Sequence, residues 1–189
     1  DLNHHNTLYW DTRAMAVAPG DPKAARDIHW ALVASGLNQS AATILNEKRP
    51  LERRVFTNYL GGGAITEGTL RKPSAVGRVL DDGASQVWRT AYNRRGQVTK
   101  RIDPLGRETT YVYAANDIDL VEMRQTTAGI NEVLARYTYN AVHQPLTMTD
   151  AAGQTTSYTY NADGQVLTVT NAKEETTTYT YDGDGYLTG

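Results

Sequence analysis

The sequence predicts an all-β protein of repeated antiparallel β-hairpins that form a twisted, solenoid-like sheet. Three observations support this prediction: the residue composition, a recurring Tyr-x-Tyr triplet and two recurring turn sequences. The 189-residue chain contains 12 tyrosines and one phenylalanine and is rich in threonine. Tyrosine and threonine fit a half-buried pleated surface better than a helix. The hydrophobic fraction of 40% is too high for a disordered chain.

Four Tyr-x-Tyr triplets lie in the second half of the chain. When Tyr92 is counted as the first member, the steps between second tyrosines are 21, 26, 21 and 21 residues. We place the five additional residues of the long step within residues 122–135. Both rings of a triplet lie on one face of a strand, because side chains alternate along it. The triplets are Tyr111-Val112-Tyr113, Tyr137-Thr138-Tyr139, Tyr158-Thr159-Tyr160 and Tyr179-Thr180-Tyr181.

Two turn sequences alternate with the tyrosine strands. In the first, Asn or Asp usually follows the second tyrosine, and glycine comes four residues after it, free to take the positive φ of a bulged hairpin. In the second, Asp-Pro-x-Gly is typical of a type I turn, with Asp at its first corner. The second turn is seen at Asp103-Pro104-Leu105-Gly106, Asp150-Ala151-Ala152-Gly153 and Asn171-Ala172-Lys173-Glu174.

Three positions depart from the pattern. Asp117 replaces a hairpin glycine, Glu174 replaces the glycine of the second turn, and Pro145 stands where a strand residue is expected. These departures concern single turns and not the architecture. We assign structural roles in the repeat to Tyr92, Gly96, Asp103, Gly106, Tyr111, Tyr113, Tyr137, Tyr139, Asp150, Gly153, Tyr158, Tyr160, Gly164, Tyr179, Tyr181 and Gly185.

The first ninety residues are less regular. Strands are predicted at residues 7–10, 54–59 and 85–92, and a loop at 61–73. Residues 23–33 match helical spacing, but the surrounding chain favours a strand there. The predicted organisation is therefore an irregular β-rich segment over residues 1–91, followed by an array of about four 21-residue repeats over residues 92–189.

The pattern Tyr-Asn-x-x-Gly followed by Asp-Pro-x-Gly-Arg-x-Thr-x-Tyr-x-Tyr resembles the YD-repeat, or Rhs, proteins of bacteria. These are similar to the C components of insecticidal toxin complexes and to animal teneurins. Residues 92–189 carry the resemblance, and residues 8–11, 48–52 and 77–83 resemble the segments that precede such repeats. The chain looks like a fragment of something longer, because it begins without methionine and stops in mid-pattern.

The resemblance implies a long antiparallel sheet wound into a hollow shell that encloses a toxic C-terminal domain. This chain would then be a stretch of shell wall, secreted or at the bacterial cell surface. Its implied partners are the flanking repeats and the C-terminal effector domain of the same polypeptide. The family's self-cleaving core has no counterpart in this sequence, so cleavage activity is not implied.

Catalysis, cofactors and metals find no support in the sequence. There is no cysteine, and the four histidines (His4, His5, His29 and His143) show no metal-ligand spacing. Asp103 superficially resembles an acidic cleavage motif, but a turn-capping role explains it, and Asp182-Gly183-Asp184-Gly185 lacks the later ligands of a calcium loop. No basic block indicates nucleic-acid binding, and no apolar run is long enough to span a membrane. We therefore expect a protein that is not an enzyme.

The aromatic residues also suggest an alternative function. Trp10, Trp30 and Trp88, together with the tyrosine triplets, could form an exposed aromatic row that binds carbohydrate or a protein at the cell surface. We favour a packing role, because these are the largest side chains available to fill a sheet's buried face. The isolated fragment is also expected to expose unpaired strand edges and to self-associate edge to edge.

Overall fold

The computed structural model describes residues 6–33, 40–62, 66 and 68–189. Within these residues, fourteen strands follow one another in chain order in one sheet, and the described neighbours within β1–β6 and within β8–β14 pair antiparallel. The all-β prediction and the repeated antiparallel hairpins are confirmed. Two compact units are present: Asp1–Ala91 with Arg101–Gly106, termed the first unit, and Tyr92–Lys100 with Arg107–Gly189, termed the repeat unit.

The predicted strands of the first half are present, and one helix was not expected. Residues 23–33 open with a 3₁₀ turn at Pro22–Ala24 and continue as a strand, as the surrounding chain favours. The helix α1, Thr12–Val17, begins where Asp11 accepts a hydrogen bond from the backbone N–H of Ala14 at 2.7 Å. The strands are β1 (Asn6–Tyr9), β2 (Arg26–Leu32), β3 (Ser40–Lys48), β4 (Val55–Tyr59), β5 (Pro73–Val79) and β6 (Ser85–Tyr92).

A cluster of small apolar residues forms the core of the first unit. Ala31 of β2, Ala41 and Leu45 of β3 and Tyr59 of β4 are buried together, and Val33 packs against them. Ala41 and Leu45 share one face of β3, because alternate residues of a strand point the same way. The small alanine side chains leave room on this face for the leucine and tyrosine side chains, so this unit has an apolar centre.

The repeat unit is built from hairpins of similar length. The short edge strand β14 ends at Thr178, before the last Tyr-x-Tyr triplet, although Tyr179 still donates its backbone N–H to the carbonyl oxygen of Leu167 at 2.8 Å. The strands are β7 (Val98–Ile102, whose last two residues belong to the first unit), β8 (Glu108–Tyr113), β9 (Leu120–Thr127), β10 (Ile130–Tyr139), β11 (Pro145–Asp150), β12 (Thr155–Tyr160), β13 (Val166–Thr170) and β14 (Thr176–Thr178).

The two faces of the repeat unit differ in chemistry. Triplet tyrosines are half-buried, whereas the residue between them is exposed in every triplet. On the tyrosine face, first tyrosines pair across strands with apolar residues: Tyr111 with Met123, Tyr137 with Met148 and Tyr158 with Val169. On the other face, threonine hydroxyls bond across strands at 2.6–2.9 Å, which explains the abundance of threonine. These pairs are Thr138–Thr147, Thr149–Thr155, Thr159–Thr168 and Thr170–Thr176.

The long step between Tyr113 and Tyr139 is divided between two places. Fifteen residues separate Val98 from Tyr113, but nineteen separate Leu120 from Tyr139, so four additional residues lengthen the β9–β10 hairpin. The fifth lies before Leu120, where a six-residue turn replaces the usual five. The placement of all five within residues 122–135 was therefore wrong by one residue. The lengthened hairpin closes through Ala128 and Gly129, both at positive φ (51° and 83°), as a two-residue hairpin turn requires.

Candidate functional site at the repeat corners

The turn after each second tyrosine has a positive φ at the same position in all five repeats. We term these turns the repeat corners: residues 93–97, 114–119, 140–144, 161–165 and 182–186. The residue four places after the tyrosine has a positive φ whether or not it is glycine. The values are 78° at Gly96, 58° at Asp117, 66° at His143, 85° at Gly164 and 86° at Gly185. The missing glycines therefore do not change the turn, and the substituted residues are held in a strained conformation.

A side-chain oxygen closes each corner. In residues 140–144, Asn140 Oδ1 accepts the backbone N–H groups of Val142 and Gln144, both at 3.0 Å. Asn161 closes its corner in the same way, with Asp163 at 3.1 Å and Gln165 at 2.9 Å. Asn93 and Asp182 make the equivalent pairs of bonds. This local bonding is the physical reason for Asn or Asp after the tyrosine.

The corner at residues 114–119 is closed by a different residue. Ala114 occupies the Asn position and has no oxygen to offer. Asn116 takes its place, and its Oδ1 accepts the N–H groups of Ile118 and Asp119, both at 3.0 Å. This shift of the capping residue accommodates the one additional residue of the corner.

The midway turns use the same device. Asp150 Oδ1 accepts the N–H groups of Ala152 and Gln154 at 2.9 Å, and Asn171 Oδ1 accepts those of Lys173 and Glu175. Asp103 Oδ1 accepts the N–H of Leu105 at 2.9 Å. The last turn residue again has a positive φ: 79° at Gly106, 80° at Gly153 and 65° at Glu174.

Second tyrosines anchor each hairpin to the strand that begins fifteen residues earlier. The Tyr113 hydroxyl donates to the carbonyl oxygen of Val98 at 2.9 Å, and Tyr181 donates to Val166 at 2.9 Å. Tyr160 donates to Pro145 at 2.7 Å. Pro145 is the first residue of β11, where a missing N–H is tolerated. We term these bonds the tyrosine anchors.

Burial accompanies the anchors. It raises the pKa of the Tyr160 hydroxyl. At Tyr139, burial is again the main cause of a raised pKa, and the nearby Asp119 carboxylate adds to it. A β-bulge lies immediately before the second tyrosine in the β8–β9, β10–β11 and β12–β13 pairs, so the ring is turned at the point where the corner begins.

Tyr59 of the first unit makes an anchor that sequence reasoning missed. Its hydroxyl donates to the carbonyl oxygen of Ile44 at 3.0 Å, fifteen residues earlier, and the same bulge precedes it. Burial raises its pKa. The available signals were the tyrosine followed by Leu60-Gly61-Gly62 and the fifteen-residue distance to the strand before it. No Tyr-x-Tyr triplet marked the position, because Thr57 occupies the place of the first tyrosine.

Successive corners are linked by a contact to the fourth residue of the later corner. The last residue of a corner usually supplies it: Gln144 Nε2 donates to the carbonyl oxygen of Gly164 at 3.0 Å, and Gln165 Nε2 to that of Gly185 at 2.8 Å. Asn93 Nδ2 donates to the carbonyl oxygen of Asp117 at 3.0 Å. We term these contacts, with the Asp119–His143 contact below, the corner ladder. The glutamine five residues after the second tyrosine, at Gln144 and Gln165, was its sequence signal, and sequence reasoning missed it.

At the two corners without glycine, the substituted side chains contact the preceding corner. Asp117 accepts a hydrogen bond from Arg94 Nε at 2.5 Å. His143 Nδ1 lies 3.0 Å from both carboxylate oxygens of Asp119, and Asn116 Nδ2 donates to Asp119 Oδ2 at 2.7 Å. Asp119 is only 8% exposed. Burial by itself raises the pKa of Asp119, but the hydrogen bonds to His143 and Asn116 outweigh it, so the pKa is lowered.

Ion pairs join neighbouring strands within each unit. Glu122 of β9 accepts hydrogen bonds from Arg124 at 2.5 Å and from Arg136 of β10 at 2.9 Å, and these bonds lower its pKa. Lys100 lies 2.7 Å from Glu108 and lowers the pKa of that carboxyl. In the first unit, Arg26 and Arg49 lower the pKa of Glu47. Most of these pairs connect strands, and Glu47 and Arg49 also line a cleft of the first unit.

The other candidate residues are dispersed. Trp10 Nε1 donates to the Asp21 carbonyl and Trp30 Nε1 to the Thr7 hydroxyl, both at 2.8 Å, whereas Trp88 is 43% exposed. His29 contacts Asn6, and His4 and His5 lie outside the described residues. Across residues 6–33, 40–62, 66 and 68–189, no group of three acidic or histidine side chains could hold a metal ion. Nor does this part of the chain contain a helix that could cross a membrane.

The arrangement defines a class of protein: a β-hairpin repeat array whose recurring side chains hold one repeat to the next. The model of the RHS Repeat family matches residues 139–176 and 160–189. Residues 139–189 therefore match RHS repeats, in agreement with the predicted resemblance to Rhs/YD-repeat proteins. None of the curated protein sequences matches it.

Solved structures of toxin complexes share the fold. The TcdB2-TccC3 complex without its hypervariable C-terminal region has a TM-score of 0.64 at 13% identity over 96% of this chain. The TcdB2-TccC3-Cdc42 complex has a TM-score of 0.61 at 12% identity over 97%. A mutant Tc holotoxin pore of Photorhabdus luminescens has a TM-score of 0.53 at 14% identity over 87%. This chain spans only 9–10% of the length of those chains.

Proposed function

We propose that this chain is a non-catalytic segment of a larger Rhs/YD-repeat protein and forms part of a β-shell around a C-terminal toxin or effector domain. The tyrosine anchors carry the proposal. Tyr113, Tyr160 and Tyr181 place equivalent hydroxyls on equivalent backbone carbonyls. The same side-chain to backbone bond in successive repeats holds neighbouring hairpins together. Repeat proteins are extended by units that each contact only their neighbours, so this bonding suits a long shell.

The comparisons support a role within a larger protein. The chain corresponds to about a tenth of each similar structure, so flanking repeats are its expected covalent neighbours. One of those structures is of a complex without its hypervariable C-terminal region, and a variable C-terminal region is what an enclosed passenger would be. Within the segment, we propose an irregular part over residues 1–91 and a repeat array over residues 92–189.

The same comparisons favour a location outside the bacterial cytoplasm. One similar structure is a Tc holotoxin pore, an assembly that acts on membranes. We propose that the protein carrying this segment is secreted or displayed at the cell surface.

Limited proteolysis of the full-length protein tests the enclosure. The wild-type protein should protect its C-terminal domain from an added protease. A double variant that removes two anchors, Tyr160→Phe with Tyr181→Phe, should lose this protection at a lower urea concentration than the wild-type protein. The matched control is Tyr158→Phe with Tyr179→Phe, in which the ring is kept and no anchor is lost. If the C-terminal domain of the wild-type protein is cleaved as fast without urea as in urea, enclosure is contradicted.

A cell-surface adhesion module is less favoured. An adhesive aromatic row would include the tryptophans, but the Trp10 and Trp30 indole N–H groups already donate hydrogen bonds within the chain. Glycan binding by the 189-residue chain, abolished by Trp88→Ala, would support the adhesion function instead.

Self-association of the isolated chain follows from its outer strands. β1 and β14 lie at the two ends of the strand order, and an exposed edge offers unpaired N–H and C=O groups. We propose edge-to-edge pairing of copies at high concentration. Light scattering that shows only monomer at every concentration would contradict it.

A further inference from the structure

Two clefts in the repeat unit are copies of each other. The first lies between corners 140–144 and 161–165, and its lining includes Gln144, Leu146 and Tyr158. The second lies one repeat later, and its lining includes the equivalent residues Gln165, Leu167 and Tyr179. All three correspondences are shifts of 21 residues. The array therefore repeats a concave, aromatic surface at a fixed distance.

The two tyrosines of a triplet have different roles in these clefts. Second tyrosines use their hydroxyls as anchors, as Tyr160 and Tyr181 show. First tyrosines do not: within the described part of the chain, the hydroxyls of Tyr158 and Tyr179 make no hydrogen bond. Each is a half-buried ring whose polar end is free. A partly exposed tyrosine of this kind offers an apolar surface and one donor to a ligand.

The spacing of the clefts selects the shape of the ligand. Equivalent residues of successive repeats are two strands apart, which is about 9.6 Å at roughly 4.8 Å per strand. A polyproline II helix repeats every three residues, or about 9.3 Å. It has no internal hydrogen bonds, so its carbonyl oxygens are free to accept the two tyrosine hydroxyls. Aromatic-lined grooves are the known mode of recognition for this conformation.

Negative charge at the second cleft determines which end of the ligand lies there. Asp163, Asp182 and Asp184 line the second cleft, and none of them makes an ion pair within the described residues. At the first cleft, the uncharged Val142 and Asn161 stand in the places equivalent to Asp163 and Asp182. We propose that the two clefts together bind a proline-rich segment in the polyproline II conformation, with its prolines over Tyr158 and basic residues beside the aspartates at Tyr179.

Titration calorimetry with the 189-residue chain tests the proposal. The probe is a synthetic peptide of about eight prolines followed by two arginines, long enough for two turns of about three residues each. Its control has glycine in place of proline and so lacks the preformed helix. We expect the proline peptide to bind, the glycine peptide to bind at least about tenfold more weakly, and the affinity to fall with added salt.

Phenylalanine variants separate binding from stability. Tyr158→Phe with Tyr179→Phe keeps both rings and removes two donors, so the affinity should fall about tenfold, a few-fold for each hydrogen bond. Tyr113→Phe removes an anchor that lies outside both clefts and should leave the affinity unchanged. Asp163→Asn with Asp184→Asn should remove the affinity that the two arginines add to the peptide. It should also make the affinity of the peptide less dependent on salt.

Three results would overturn the proposal. The first is no binding of the proline peptide above the glycine control. The second is equal binding by the Tyr158→Phe, Tyr179→Phe variant. The third is equal or tighter binding of a neutral oligosaccharide that competes for the same sites, which would assign the tyrosines to sugar recognition.

Discussion

The first unit and the repeat unit are stabilised in different ways. In the first unit, apolar side chains such as Ala31, Leu45 and Tyr59 are buried together in one cluster. In the repeat unit, the residues buried to a similar degree within the described chain are Gly96, Asp119 and Ala135. Its hairpins are held instead by tyrosine anchors and the corner ladder. A core tolerates an irregular sequence, whereas hydrogen bonds repeated at each corner require a periodic one.

The largest expected effect is on the core of the first unit. Leu45→Ala should lower the free energy of unfolding by about 3 kcal/mol, because it leaves a cavity among buried neighbours. Urea unfolding followed by circular dichroism measures it. Leu51→Ala is the control, since Leu51 is fully exposed and should change stability by less than about 0.5 kcal/mol. Equal effects of the two changes would mean that no such core exists.

The next effect is at a corner of the repeat unit. Gly164 has a φ of 85°, and a Cβ there would lie 2.8 Å from Gln144 Nε2. Gly164→Val therefore adds backbone strain and displaces a rung of the corner ladder, at a cost of about 2 kcal/mol.

Gly183→Val is the matched control for Gly164→Val. A Cβ at Gly183 meets nothing within 4 Å, and its φ is not in the positive range. The same valine should cost little there. Unfolding midpoints that coincide for both variants would show that the positive-φ residue does not constrain the corner.

A corner can also be improved. Glu174 has a φ of 65°, and its exposed side chain makes no contact among the described residues. Glu174→Gly should therefore raise the free energy of unfolding by about 1 kcal/mol, because it relieves the strain. Glu174→Ala retains the Cβ and should give no gain. His143→Gly should give a smaller gain than Glu174→Gly or a loss, since it also leaves the Asp119 carboxylate without its histidine.

The smallest expected effect is on acid stability. The pKa of Glu122 is lowered by Arg124 and Arg136, so its folded pKa lies below its unfolded pKa. Its stabilising contribution is complete above the unfolded value and is lost as the pH falls through the folded value. The urea midpoint should therefore fall between about pH 5 and about pH 3, and Glu122→Gln should make this fall shallower. Glu132→Gln, at an exposed position, should not, and an identical slope for both variants would refute the role of Glu122.

Sequence reasoning predicted the strands and turns whose conformation depends on residues close in sequence. The Tyr-x-Tyr strands and the turns at Asp150 and Gly164 follow from local geometry, since alternation and positive φ are properties of short segments. The tyrosine face could be assigned, but not its half-exposed state, because burial depends on which residues lie opposite each ring.

Contacts between repeats were not predictable in the same way. Asp119 and His143 are 24 residues apart, and Gln144 and Gly164 are 20 apart. Their meeting depends on the register of two hairpins and on the reach of each side chain. Helix α1 was missed because six residues are too few to show helical periodicity. Tyr59 was missed because it is not part of a Tyr-x-Tyr triplet. Only its hydrogen bond to a carbonyl fifteen residues earlier shows that it is equivalent to Tyr160.

The central claim is that second tyrosines maintain the array and first tyrosines do not. The most direct measurement compares Tyr160→Phe with Tyr158→Phe by urea unfolding of the 189-residue chain. The two changes remove the same atom from neighbouring rings of one triplet. Tyr160→Phe should lower the free energy of unfolding by about 1 kcal/mol, because it breaks the bond to the Pro145 carbonyl, and Tyr158→Phe should leave it unchanged. Equal losses, or a larger loss for Tyr158→Phe, would contradict the account.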